Sequence, residues 1–452
     1  MTTSLLDGDW QQRLAEIASK YEVPGAALGI ALGDDTLEVA YGATSVDTGV
    51  EIRTDTLFEI GSISKVWAAT VVMALVDAGK LDLDTPAAIY LPEFQLADAD
   101  ATRQVTVRHL LTHTSGIEGD FFRGFGLGDD CLKRFVAALA DLPPVGATWS
   151  YCNAGINVAA RVVERVSGQA WDTALKDLVF SPLGLTHTVT LAEEALAHTL
   201  ALGHVRGADD LAKLAPPVMF RSHSPGGGIV SSVGDVLRFA RMHLAGGVAS
   251  DGTRVLGAET VAAMQEHQVA PPSPYLDFDG QGLGWQRFHS LSADLIGQDG
   301  YTWGQRAYLR LVPNKNMAVV LLTNSGYSRD LYRDLIGEVL GDLAGVEMPQ
   351  PRKAPDTPVE IDVTPYVGTY RSHGVSIEVW SERRGARMRK TQDLSDIGVP
   401  ESVQEYDLVP IHEGLYLVRE PDSTTWQPVT FHSLDDGPPY VFFGGRATRK
   451  VS

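Results

Sequence analysis

Ser62-Ile63-Ser64-Lys65, running on into Val66-Trp67-Ala68-Ala69, is the stretch on which the reading of this chain turns. Trp67 to Ala78 is apolar enough for a buried helix and Gly79 closes it, so Ser62 stands at or just before a helix start. A Ser and a Lys three apart on a helix share one face. A primary hydroxyl is a weak nucleophile until a neighbour takes its proton. A lysine can do so when burial or a nearby phenol draws its pKa down, and the apolar flanks of Lys65 favour that burial. A helix start also offers free backbone N–H groups and the positive end of the dipole. An N-capping serine and a surface lysine would give the same letters. A second pattern argues against that reading. Tyr151-Cys152-Asn153 lies just ahead of a helix expected from Ala154 to Val166, and the chain has no other Ser-x-x-Lys and no other Tyr-x-Asn. Tyr151 is read as a proton relay and Asn153 as an amide donor to an acyl group.

The surroundings set bounds. The chain has 452 residues, enough for two or three units at roughly 100–200 residues each, or one large domain with an appendage. Apolar residues make up 44% and charged residues 21%, the balance of a globular protein with a core of its own. A formal charge of −20 argues against a nucleic-acid partner. The one basic run, Arg383, Arg384, Arg387, Arg389 and Lys390, reads as a solvated face. Cys131 and Cys152 make no disulfide framework. Met1 to Asp9 lacks a secretory signal, and no apolar run reaches 18 residues, so no membrane association and a cytoplasmic location with reduced thiols are expected.

Outward from the serine, residues 9–21 read as a helix, and Gly25 to Leu32 with Thr36 to Tyr41 as a hairpin turning at Gly33-Asp34-Asp35. From about 85 to 225, helices and long loops dominate, with helices at Val107 to Leu111 and Leu132 to Leu139. Beyond the Gly226-Gly227-Gly228 break, Val233 to Ala245 reads as a helix. Strand patterns follow at Leu283 to Phe288, Ala307 to Val312 and Met317 to Thr323, then a helix at Leu331 to Leu343. Met348 to Pro358 carries four prolines in eleven residues and reads as a semi-rigid linker. After it come short alternating segments such as Ser376 to Trp380, Leu415 to Val418 and Tyr440 to Phe443, the pattern of a small all-β barrel or curled sheet. The division expected is a catalytic domain over 1–346, a linker over 347–360 and a β domain over 361–452.

Other signals lead elsewhere. His109 and His113, four apart on a helix, lack a neighbouring glutamate and a third ligand, so no metal is expected. The glycine clusters at 124–128, 226–228 and 280–284 lack a phosphate-loop frame, and no Gly-x-Ser-x-Gly occurs. No cofactor is called for.

Taken with these motifs, Phe58-Glu-Ile-Gly-Ser-Ile-Ser-Lys65, Gly79-Lys-Leu-Asp-Leu-Asp84, Val107-Arg-His-Leu-Leu-Thr-His-Thr-Ser-Gly116, Pro182-Leu-Gly-Leu185, Gly226-Gly-Gly-Ile-Val-Ser-Ser232 and Leu321-Leu-Thr-Asn324 make the chain resemble the serine β-lactamase and penicillin-binding protein superfamily. The resemblance runs from about residue 10 to 345 and lies on the side of class C β-lactamases, D-aminopeptidases, esterases and penicillin-binding-type thioesterases. It implies an α+β transpeptidase fold, an antiparallel sheet flanked by helices and packed against a mostly helical region, with the site between them. The β domain looks like the lipocalin-like appendages of some of those relatives. By position the resemblance makes Ser62 the acylated nucleophile, Lys65 its activator and Tyr151 the general base and acid. The third motif of the family, Lys-Thr-Gly or His-x-Gly, is matched best by Gln298-Asp299-Gly300. Neutral Gln298 can hydrogen-bond but supplies no charge, which suits a neutral ester or amide better than a free carboxylate. The second oxyanion donor implied is the backbone N–H of Tyr301, and Arg306 is a candidate for the missing charge.

The expected function is a serine hydrolase or acyltransferase acting on a small-molecule or short-peptide ester or amide through an acyl-serine intermediate. Two alternatives stand beside it: a transacylase or peptide cyclase passing the acyl group to an amine, and a binding protein that kept the fold without the chemistry.

Overall fold

The computed structural model describes residues 8–452 except 143, 147, 208–211, 216–219, 291, 358, 384, 396–398, 420–424 and 435–436. The start of the Met1 to Asp9 stretch, Arg384 of the basic run and Pro358 of the linker therefore lie outside the described residues. A seven-stranded antiparallel sheet carries the first part of the chain. Its order is Asp35–Gly42, Gly25–Leu32, Met317–Thr323, Gln305–Val312, Leu295–Thr302, Gln286–Phe288, Phe278–Gln281. Strand Gly25–Leu32, next to the edge strand, shows how the sheet is buried on both sides. Ala26, Leu28 and Ile30 point to one face and Ala27 and Ala31 to the other, and both faces are buried. Helices Trp10–Lys20 and Arg329–Ala344 cover the first face. Ser64–Asp77 and Val233–Leu244 pack into the core on the second, which continues into the helical region built around Asn153–Ser167.

Most expected elements stand where the periodicity puts them. One strand does not. Leu283 to Trp285 forms a turn between Phe278–Gln281 and Gln286–Phe288. Leu283 and Trp285 are apolar because they plug the core from that turn, so their hydrophobicity reports burial without reporting strand.

Val346 to Asp362 carries no strand or helix among its described residues. Beyond it eight strands, from Gly368–Ser372 to Arg446–Lys450, close into a barrel in which the first pairs the last, Tyr370 opposite Lys450 and Arg371 opposite Arg449. The barrel has its own core, with Tyr370, Met388, Tyr416, Val418 and Val441 among its buried members. A separate apolar cluster joins it to the rest: Tyr440, Phe442 and Ala447 pack on Val145, Trp149 and Tyr151. Among the described residues no helix is long and apolar enough to cross a membrane.

Candidate active site

Ser62 sits on a single 3-10 turn, Gly61–Ile63, that runs into helix Ser64–Asp77. That helix is apolar on every side and buried along most of its length, the pattern of a helix driven through a core. Lys65 goes in with it and is 1% exposed. One helical turn after the serine, its Nζ lies 2.9 Å from Ser62 Oγ and donates to the carbonyl of Gly226. Burial, and then the nearby Arg446 guanidinium, hold the Lys65 ammonium well below its ordinary pKa, against the opposing pull of Asp120 and Cys152. The shift favours the neutral amine, whose lone pair can accept the Ser62 proton across the same 2.9 Å contact.

Gly226 is a partner that sequence reasoning passed over as part of a glycine run. It lies in the helical turn Ser224–Gly227, and its N–H donates to Asn157 Oδ1 at 3.1 Å. Only its place in the quoted run Gly226 to Ser232 hinted at a role.

Tyr151 comes in from the segment ahead of helix Asn153–Ser167, which the Cys152 thiol caps by accepting from the Gly155 N–H. The phenol hydrogen-bonds Ser62 and accepts from Gln298 Nε2 at 3.1 Å. Lys65 Nζ lies 4.8 Å from the ring centroid. Burial pushes the phenol up from its ordinary value, and the Ser62 hydrogen bond and Arg446 pull it back only in part. Tyr151 is thus a protonated phenol touching the serine, suited to giving a proton and taking one back.

The serine turn meets strand Leu295–Thr302 through two glycines. Gly61 has φ +52, and a Cβ there would stand 2.6 Å from the backbone N of Tyr301. A Cβ on Gly300 would overlap the Ile60 carbonyl. With glycine at both positions, strand Leu295–Thr302 presses onto the serine turn and brings the Tyr301 N–H against the Gly61–Ser62 peptide. The Tyr301 side chain itself is 51% exposed.

Three other groups have partners of their own. Asn153 Nδ2 donates to Asp120 Oδ1 at 2.7 Å, so a protein carboxylate engages one of its two amide hydrogens. Arg306 does not supply charge to Tyr151: its Nε donates to the Gly326 carbonyl and its guanidinium lies over the Tyr301 ring. His109 and His113 do not form a ligand pair. His109 Nδ1 accepts from the Thr106 N–H in a helix cap, while His113, at φ +62, accepts from the Cys152 N–H with Nδ1. No cluster of three metal-ligating side chains occurs among the described residues.

The cation beside Tyr151 comes from the other end of the chain. Arg446 follows the Gly444-Gly445 turn of the barrel hairpin formed by Pro439–Phe443 and Arg446–Lys450. Its guanidinium lies 4.7 Å from the Tyr151 ring centroid and grips Asp120 with two bonds of 2.8 and 3.0 Å. The hairpin is fixed by Tyr151 N–H to Gly445 O at 2.9 Å, Ala447 N–H to Ser150 Oγ at 3.2 Å and Tyr440 Oη to Val145 O at 2.8 Å. No local motif marks Arg446. Its signal is the two-glycine turn, and that says nothing about what the turn meets.

A sequence profile of the family described as Beta-lactamase matches residues 10–340. The chain is 45% identical over 372 residues, 81% of its length and 97% of the relative's, to Penicillin-binding protein 4 of Amycolatopsis lactamdurans. It is 26% identical to Unguisins hydrolase ungD of Aspergillus violaceofuscus over 82% of this chain and 70% of that one. Among solved structures it is similar to the crystal structure of SurE, with TM-score 0.79, 27% identity and 98% of each chain covered.

Proposed function

The chain belongs to the Beta-lactamase family, whose chemistry is that of acyl-serine hydrolases, and on that premise we propose that it opens an ester or amide of a small molecule or short peptide through an acyl-enzyme on Ser62. The Lys65 amine takes the hydroxyl proton as Ser62 Oγ bonds to the carbonyl carbon. The backbone N–H groups of Ser62 and Tyr301 receive the oxyanion. The Tyr151 phenol protonates the departing oxygen or nitrogen as the old bond breaks, then draws a proton from the incoming water as it attacks the acyl carbon; the acyl–oxygen bond breaks and the Lys65 ammonium returns its proton to Ser62 Oγ. The observation that carries this reading is the 2.9 Å contact between Ser62 Oγ and the nitrogen of a lysine residue that is 1% exposed.

The names of two relatives suggest probes. One speaks of penicillin binding and another of hydrolysis of unguisins, so an amide bond is as fit a target as an ester. Incubation with a fluorescent penicillin and, separately, a p-nitrophenyl ester should give a covalent adduct with one and turnover with the other. Neither outcome in the wild type would favour a fold kept for binding alone.

Transfer to an amine is a second reading, favoured by one feature. The barrel hairpin packs Tyr440, Phe442 and Ala447 on Trp149 and Tyr151, which narrows the approach of water to the relay phenol. Product analysis of the ester reaction with and without added amino acids separates the two: an amide product growing with amine concentration favours transfer, and free acid alone favours hydrolysis.

A further inference from the structure

Gln298 occupies the place where a cation of the third motif would stand, and it meets the Tyr151 hydroxyl as a neutral donor. A cation from elsewhere in the chain, Arg446 on the barrel, lies over the same ring and is bound through Asp120 to Asn153. We propose that Arg446 and Asp120 form a charge pair that takes over the work of the missing third-motif cation, so that the barrel is part of the catalytic apparatus and Arg446 is a positioning residue acting through Tyr151 and Lys65. This rests on the acyl-serine reading above.

The geometry assigns opposite signs to the two partners. Arg446 favours the neutral amine on Lys65 and eases proton loss from Tyr151; Asp120 opposes both. Other groups around the pair do not compete for that role. Burial holds His113 neutral, its ring centroid 4.5 Å from that of Tyr151. The Cys152 thiol is pushed up to about 12 by burial. Asp299, beside Gln298, is bonded by Arg310 at 2.6 Å. Glu118, two residues before Asp120, accepts from the His373 N–H of the barrel and is pushed up to about 7 by burial. Lys390, also from the barrel, acts on Asp120 and reinforces the ionised carboxylate. Arg446 keeps 35% of its side chain exposed, so water moderates its field without removing it.

Acylation of the full chain by a fluorophosphonate, followed by intact mass across pH, tests the pair. In Arg446→Gln the acid limb of the acylation rate should move to higher pH, with a loss of about tenfold at pH 7 for each unit moved and recovery in alkali. In Asp120→Asn the limb should move to lower pH. Adding Gln298→Lys to Arg446→Gln should carry the limb back toward wild type by restoring a cation beside Tyr151. Thermal melts of each variant separate lost folding from a moved limb. If both single variants lower the plateau without moving the limb, or move it the same way, the pair is structural and the proposal falls. Absence of rescue by Gln298→Lys overturns the exchange of roles. A wild type that acylates at no pH overturns the acyl-serine reading itself, a result distinct from a wild type that acylates beside variants that do not shift.

Discussion

Two regions meet at Tyr151, and they were built by different rules. Below the ring, Ser62 and Lys65 are three residues apart, and one helical turn suffices to join them. Above it, Arg446 and Asp120 are 326 residues apart, and they meet only because a barrel closes, docks and presents a hairpin tip. The contact below depends on helix geometry and can be foreseen from letters. The contact above depends on how one folded surface seats on another, which no local period encodes. Variants that sort into chemistry below and docking above would sharpen that contrast, and variants that mix the two would break it.

The largest effect belongs to the lower region. Tyr151→Phe removes the proposed proton relay and keeps the ring beside Arg446, so ester turnover should fall about 10²–10⁴-fold while the melting temperature stays near wild type. Steady-state kinetics beside a thermal melt checks both halves. Gly300→Ala should come next. Its Cβ meets the Ile60 carbonyl and pushes the Tyr301 N–H away from the serine turn, costing roughly 10²–10³ in kcat with little change in KM. If Gly300→Ala raised KM and spared kcat, the oxyanion assignment would be wrong.

Changes above the ring should act on stability first. Tyr440→Phe deletes the bond to the Val145 carbonyl and leaves a buried acceptor unpaired, a loss of about 1–3 kcal/mol, read as a lower denaturant midpoint. The smallest effect concerns pH. Unfolded, Glu118 titrates near its ordinary value of 4.5; folded, burial raises it to about 7. The folded state therefore holds this proton more tightly between those values. Stability from this group, full below 4.5, is lost as pH rises through about 7. Glu118→Gln cannot ionise, and its melting temperature between pH 5 and 8 should decline less than that of wild type.

The same contrast explains what could be read in advance. The helix at Lys65 and the strands at Gly25–Leu32 and Met317–Thr323 were legible because burial stamps a period on their residues. Leu283 to Trp285 misled because a turn that plugs a core is as apolar as a strand. Ser62, Lys65 and Tyr151 were legible as motifs. Gly226 was half-legible, since its role lies in a carbonyl that every residue type carries. The engagement of Asn153 by Asp120, and of Asp120 by Arg446, was not legible, because a salt bridge between distant loops leaves no spacing to detect.

The central claim is that a buried amine and a phenol activate one hydroxyl. Rapid quench of the full chain with a chromogenic ester, followed by peptide mapping of the trapped adduct, tests it most directly. The account predicts a burst of about one equivalent with the acyl group on the peptide containing Ser62, lost in Ser62→Ala. An adduct on another residue, or equal turnover by Ser62→Ala, would contradict it.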